Sequence, residues 1–575
     1  VRFQAAFESG FERFRRFYLG VLTLAVDHAP VFLILFFAFT VLSVAGLLPS
    51  LGQDFFPNVD SGQFKIHVRA HTGTRIEETA ALCDHIDATI RSQIPKDELV
   101  TILDNIGVPY SGLNLSYSTS APIGPSDADI QVQLAPHHHP TKDYVNRLRT
   151  ILARQYPGVT FYALPVDIVT QILNFGLSAP IDIQIIGHNL YADRNLAEKM
   201  LNQVRYVPGA VDAHIQQPFN YPNLTVNVDR TRAATIGLTQ DNVAQNLLVA
   251  LSGSFQTSPG FYLDPRTGVT YNVAVMSPQY RVDSLAALKS LPVTGTGPAP
   301  PASGSAPTGA PGAQTPIQVL GNLATIVPGT ELGTVSHYDI QPVIDIFTNV
   351  SGTDLGSVTR AMQRIVAEHQ KDLPRGSHFV LRGQSETMNR SYRGLLAGLA
   401  FSILLVYLLI VVNFQSWLDP FLIISALPAA LAGIVWFLFL TGTRLSVPAL
   451  TGAIMCMGVA TANSILIVSF AREQMDALVG DARQAALNAG FVRLRPVLMT
   501  ALAMIIGMVP MALGLGDGGE QNAPLGRAVI GGLLLATFAT LFFVPAFFSV
   551  VHGWLERRRA THLHTAGTPA LDEFD

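Results

Sequence analysis

The sequence predicts an α-helical membrane bundle of six spans that carries a large α+β region outside the lipid. Three observations predict it. Only 14% of the 575 residues are charged, and those residues concentrate between about 53 and 393. Nearly everything after Gly394 is apolar over runs of about 20 residues, the length that crosses a bilayer. The polar region between 51 and 393 reads as a strand–helix–strand unit repeated four times.

The spans are expected at 30–50, 394–413, 419–441, 446–470, 494–515 and 525–552. Positive charge sets their orientation. "FERFRRF", the loop with Arg472, Arg483, Arg493 and Arg495, and the tail "ERRR" all fall on one side, which the positive-inside tendency makes the cytoplasm. The first span follows about 29 mostly amphipathic residues and lacks a small-residue cleavage site, so it is expected to remain as an anchor.

The four outer repeats begin "QFKIHVRAHTGTRIEETAALCDHI", "ADIQVQLAPHHHPTKDYVNRLRTIL", "PIDIQIIGHNLYADRNLAEKML" and "PVIDIFTNVSGTDLGSVTRAMQRI". Each runs from an alternating strand through a polar turn to a helix with apolar residues three and four apart. Pairing the first with the second, and the third with the fourth, predicts two α+β layer units of the ferredoxin-like βαβ–βαβ kind. An insertion at about 223–338 separates the third repeat from the fourth. Its piece "TGTGPAPPASGSAPTGAPGAQTP" is too rich in Pro, Gly, Ala and Ser to build a core, so a disordered excursion is expected over 294–316.

Composition narrows the function classes. A net charge of −4 gives no basic footprint for nucleic acid. Cys83 and Cys456 are far apart, with the second in a span, so neither a disulfide nor a metal-ligand spacing is predicted. Neighbouring His137, His138 and His139 point in different directions on a turn, so they are read as solvent-facing and not as a metal site. No GxxxxGK[ST], HExxH or GxSxG motif is present, so no enzyme activity or cofactor is expected, and energy must come from an ion gradient or a partner.

Several motifs together resemble the resistance-nodulation-division (RND) efflux transporters, especially their hydrophobe/amphiphile (AcrB-like) branch. "LPSLGQDFFPNVDSGQF" is similar to the passage out of the family's seventh span, and "VNVDRTRAATIGLTQDNV" to the start of its docking subdomain. "NFQSWLDPFLIISALPAALAG" resembles the link between spans eight and nine, "RLRPVLMTALAMIIGMVPMAL" span eleven, and "GGLLLATFATLFFVPAFF" span twelve. The resemblance covers the chain almost end to end and matches one half of a two-half transporter, the C-terminal one. It implies this organisation: a cytoplasmic segment at 1–29, a span at 30–50, a first periplasmic porter subdomain at 51–172, and a second at 173–222 with 339–393. The docking insertion at 223–338, five spans across 394–552 and a cytoplasmic tail at 553–575 complete it.

It also implies function. Such pumps sit in the bacterial inner membrane as homotrimers, with a periplasmic adaptor protein and an outer-membrane channel, and export amphiphilic or hydrophobic small molecules against an inward proton flow. Their relay pairs aspartates on span four with a lysine on span ten and an arginine and threonine on span eleven. By alignment, Arg493 and Thr500 take the last two positions, Ala462 stands where the lysine is expected, and Asn463 and Thr461 become candidate relay neighbours. A hydroxyl or amide can hydrogen-bond a carboxylate but cannot balance its charge. The apolar cores of the six expected spans hold no Asp or Glu, so the acids must come from an N-terminal half. Tyr110, Leu113, Leu115 and Tyr117 occupy the family's switch-loop position and are expected to line the substrate path. A heavy-metal pump and a non-pumping accessory of the same fold are the alternatives.

Overall fold

The structure, a computed structural model, describes residues 2–108, 122–295, 317–477, 481–516 and 518–566. Two compact units divide the chain: Val1–Gln217 with Val335–Asp575, and Pro218–Thr334.

Among the described residues, six helices are long and apolar enough to cross a membrane: Ala29–Ser50, Gln384–Phe414, Leu418–Leu440, Val447–Met475, Ala482–Ala512 and Ala523–Arg558, here spans 1 to 6. Span 2 starts ten residues before the expected 394, because its first turns carry Glu386, Arg390 and Arg393 and belong outside the apolar layer. Spans 3 and 6 touch backbone to backbone. A Cβ on Gly433 would strike the Gly531 carbonyl, and small residues here let helices approach where no water drives association. Spans 3, 4 and 6 bury Ala430, Cys456, Ala460, Val529 and Leu533 together. Spans 1, 2 and 5 turn residues such as Ile34, Leu409 and Ile506 outward.

The N-terminal helix Arg2–Asp27 packs Tyr18 and Leu22 against Gly490 of span 5. Asp27 pairs with Arg483 at 2.5 Å, so the end of this helix and the first turn of span 5 share one face. Tyr18 Oη donates to Leu541 O at 2.8 Å. That carbonyl lies in a π-turn, Ala539–Phe543, where the i→i+5 pattern replaces the α ladder.

Strands β1 (Gln63–Arg69), β2 (Leu99–Ile106), β3 (Asp127–Leu134) and β4 (Thr160–Leu164) form one sheet in the order β2-β3-β1-β4, every neighbour antiparallel. Alternation puts Phe64, Ile66, Val68, Ile130 and Val132 against helices Ile76–Gln93 and Thr141–Gln155, through Cys83, Ile86, Leu148 and Leu152. The same alternation leaves Lys65, His67, Arg69, Asp127 and Asp129 on the helix-free face.

A second sheet begins with β5 (Ile181–Ile186) and β6 (Ala210–Ile215). The chain then builds the other unit: a ladder of β7 (Tyr221–Val228) with β12 (Ala324–Glu331), an exposed hairpin of β8 (Gly260–Leu263) and β9 (Thr270–Val273), and the short pair β10 (Pro292–Val293) and β11 (Gln318–Val319). Its helix Gln240–Ser252 opens with a capping box of Thr239 and Asn242. Residues 296–316 of the expected excursion lie outside the described residues. β13 (Ser336–Tyr338), inside the range expected for the insertion, instead hairpins with β14 (Gln341–Val350) in the second sheet. With β15 (His378–Gly383), the order β6-β14-β5-β15 reproduces that of the first sheet.

Asp54 ties this second sheet's helix to the spans. Its Oδ1 accepts from Leu355 N (2.8 Å) at the start of Leu355–Glu368, and its Oδ2 from Arg444 Nη1 (2.8 Å) in the loop between spans 3 and 4.

Candidate functional site

Span 4 is long enough to cross lipid, yet it carries hydroxyls and an amide at mid-length, each costly in hydrocarbon unless partnered. The structure partners them in three ways. Thr461 Oγ1 donates back to Met457 O at 2.8 Å, within its own helix. Ser464, fully buried, meets Thr540 Oγ1 of the span 6 π-turn at 3.1 Å. Asn463 Oδ1 accepts from Thr500 Oγ1 of span 5 at 2.9 Å. The Thr500 hydroxyl has one proton and also lies 2.9 Å from Val497 O and 3.2 Å from Pro496 O. An amide turned to present its Nδ2 would donate to that hydroxyl and satisfy both. Asn463 is buried, whereas Thr500 and the neighbouring Ala462 are exposed, so the seam between spans 4 and 5 reaches the rim of this bundle.

Arg493 lies two turns below Thr500. Its guanidinium sits 4.7 Å from the Phe470 ring, and its buried Nε has no hydrogen-bond partner. Arg495 instead reaches the N-terminal helix, over Phe11 and 4.0 Å from Glu8. At the end of the spans away from the two sheets, buried Asp419 accepts from Arg472 (3.0 Å) and His552 (3.0 Å), and Arg472 also donates to Phe414 O. One carboxylate thus ties together the ends of spans 2, 3, 4 and 6.

Outside the spans, a cleft of about 400 Å³ lies between the two sheets and reaches the outer loops at Arg444 and Glu520. Apolar Phe55, Val145 and Leu164 face it beside Lys142, Asn146 and Asn349. At its rim, Asp60 accepts from the Thr141 side chain and backbone and from Gly62. Burial pushes this carboxyl up, but those donors outweigh it and hold it below the ordinary range. Behind the cleft, the rings of His67, Tyr162, His214 and Phe347 form a column with centroid spacings of 4.5, 3.8 and 5.9 Å across the two sheets. Burial pushes His214 down to about 4, keeping it neutral. On the second sheet, burial and then neighbouring Asp345 push Asp182 well above the carboxylate range.

Of the residues singled out in the sequence, Asn463 and Thr500 are brought into contact, Arg493 stands near them on span 5, and Thr461 is satisfied by its own helix. Tyr110, Leu113, Leu115 and Tyr117 lie outside the described residues. His139 pairs with Glu98 at 2.5 Å, and no group of three or more His, Cys, Asp or Glu is placed to hold a metal ion among the described residues. The Asp419 cluster was not foreseen from the sequence. The signal was there: His552 is the one histidine inside span 6.

Six spans with a polar seam at their rim thus carry a double-sheet cleft beyond their ends. The chain belongs to the AcrB/AcrD/AcrF family of RND proteins, whose profile matches residues 1–552. It is 27% identical over 524 residues to the cation efflux system protein CzcA of Alcaligenes sp. (strain CT14), covering 90% of this chain and 47% of that protein. It is 25% identical over 556 residues to the cation efflux system protein CusA of Escherichia coli (strain K12), covering 94% and 49%. A crystal structure of a heavy metal efflux pump superposes with a TM-score of 0.76 at 23% identity over 95% of this chain and 52% of that one, a likeness of fold. The chain spans about half the length of the curated relatives it matches.

Proposed function

We propose that this chain is one half, the C-terminal one, of a proton-driven exporter in the bacterial inner membrane. Its six spans complete a pathway with a second six-span half that supplies intramembrane acids. The observation that carries this reading is the Asn463–Thr500 pair at the rim, with the unpartnered Arg493 Nε two turns away. A carboxylate from the other half would find there a hydroxyl, an amide and a cation in succession, with Ala462 leaving room where a lysine is absent. The two outer units are read as ferredoxin-like porter subdomains, supported by their shared strand order, and residues 218–334 as the docking subdomain. Family membership supports assembly as a homotrimer with a periplasmic adaptor and an outer-membrane channel. The chain is a transporter in this reading and not an enzyme.

For cargo, the named cation-efflux relatives favour cations, read here as heavy-metal ions, over the amphiphiles that the AcrB-like resemblance implied. The amphiphile reading stays second because the cleft combines apolar walls with a few hydrogen-bonding groups. The test is the complete transporter in a host stripped of its own pumps, challenged separately with zinc, cobalt, copper and silver salts and with bile salts and dyes. Resistance to metals alone decides for the cation, and resistance to detergents alone decides for the amphiphile. Asn463→Ala and Thr500→Val should each cut proton-coupled export severalfold. Unchanged export in both removes the seam from the proton path.

A further inference from the structure

Three hollows follow one another along the seam between the two sheets. The cleft of about 400 Å³ is the first, a void of about 20 Å³ the second, and a hollow of about 370 Å³ beside Thr160, Arg205 and Ala210 the third. The void shares Val145 and Ala163 with the cleft, and Phe161 and Asp212 with the far hollow. Arg149 is a wall of all three.

What closes the void is a fork. Arg149, on helix Thr141–Gln155, donates through Nε to Asp212 Oδ1 (2.6 Å) and through Nη2 to Oδ2 (2.8 Å). Asp212 belongs to the second sheet, and its carboxylate also accepts from Ala163 N (3.1 Å) and Asn349 Nδ2 (3.0 Å). Asn349 in turn donates to Ala163 O (2.7 Å), and Ser351 to Asn146 Oδ1 (2.9 Å). Every one of these bonds except Asn349 to Asp212 runs from one sheet's elements to the other's.

The backbone is shaped for this. Asp212 has φ +57, a left-handed conformation uncommon outside glycine. The β6–β14 register shifts there, so that Phe347 faces His214 while Asn349 faces Val211. A bulge of this kind re-aims one side chain out of the sheet, and the side chain it re-aims is the carboxylate that meets Arg149. Simple adhesion between two domains requires neither a strained bulge nor hollows on both sides of the contact.

We propose that Arg149 and Asp212 form a gate: paired, they separate the cleft from the far hollow, and parted, they join both into one passage across the seam. This rests on the reading that the two sheets flank a cargo route. When the sheets part, each charge keeps one neutral partner on its own side, Asn146 for Arg149 and Asn349 for Asp212, so neither is left bare. The pair can therefore cycle.

The experiment has two arms. In the purified full chain in nanodiscs, Ala163→Cys places a thiol at the void, and native Cys83 and Cys456 are buried. Labelling by a bulky maleimide should be slow, and on the order of tenfold faster when Arg149→Ala is added, as local opening becomes cheaper. Arg149→Lys, which keeps the charge but loses the fork, should fall between and covers the case of an unfolded alanine variant. In the complete transporter, an Asn146→Cys/Ser351→Cys disulfide should stop export under oxidant and release it under dithiothreitol. Labelling indifferent to Arg149 overturns the gate, as does full export by the locked pair. A wild type that exports nothing overturns the transport reading instead, and the labelling arm still decides whether the gate opens.

Discussion

The seam between the two outer sheets and the seam between spans 4 and 5 join similar partners by opposite means. The outer seam is held by charge and is closed on itself, with Asp212 taking two bonds from Arg149 and one each from Ala163 and Asn349. The inner seam uses only neutral groups, an amide and hydroxyls, and its last member, Thr500, is exposed. The medium explains the difference. Water near the outer seam can hydrate either ion when the pair parts, whereas a parted ion in hydrocarbon has no such refuge. On the proposed reading, the second half of the transporter completes the neutral seam at that exposed rim.

The largest expected effect is on the charged seam. Asp212→Ala removes the acceptor of both Arg149 fork bonds and of Ala163 N, leaving Arg149 only Asn146 and Asn349 only Ala163 O, and should lower stability by about 3 kcal/mol, read by denaturant unfolding of the purified chain. A loss below about 1 kcal/mol would mean that packing and not charge holds the sheets.

Acid should act next, through the ring column behind that seam. An unfolded His titrates near its ordinary value of about 6.5, while folded His214 is held down to about 4. Between those values the unfolded chain takes up a proton that the folded chain refuses, so stability falls as pH drops through that window. The loss should approach about 3 kcal/mol, and His214→Phe should flatten the profile. An unchanged slope in that variant would assign the acid sensitivity to other groups.

The neutral seam should be cheaper to break. Asn463→Ala is expected to cost about 1 kcal/mol in the isolated chain, the scale of interhelical hydrogen bonds in membranes. Its larger effect on proton-coupled export would appear only with the second half present. Thr461→Val should cost less than about 0.5 kcal/mol, because that hydroxyl bonds only its own helix. If Thr461→Val proves as costly as Asn463→Ala, the hydroxyl and amide environments differ less than their geometry indicates.

The spans and the repeated strand-then-helix succession were legible because each rests on local periodicity: runs of about 20 apolar residues, and alternation followed by helical spacing; the order of the strands in each sheet, set by pairing across tens of residues, was not. The Asn463 and Thr500 positions were legible through family motifs, though nothing local distinguished Asn463, which crosses to span 5, from Thr461, which does not. Both are polar residues on one apolar helix, and only the neighbouring span separates their roles. The Arg149–Asp212 gate left no such trace. "PGAVDAH" reads as an ordinary strand, and the bulge that turns Asp212 outward arises from the register of β6 on β14, a pairing across more than a hundred residues. Asp419 was visible as a residue, but its two partners, Arg472 and His552, come from helices far along the chain.

The π-turn in span 6 acts as a phase shifter. One residue more than the α repeat rotates everything beyond it by about 100°. Phe548 and His552 lie past Phe543, and His552 reaches Asp419 only from the azimuth they now hold. Deleting a single residue between 539 and 543 would leave the span's apolar length nearly intact. It would nonetheless swing the imidazole away from the carboxylate, and also return the Leu541 carbonyl, which now accepts from Tyr18, to the helical ladder. A length change invisible to any measure of hydropathy would thus uncouple the bottom of span 6 from spans 3 and 4 and loosen the N-terminal helix at the same stroke.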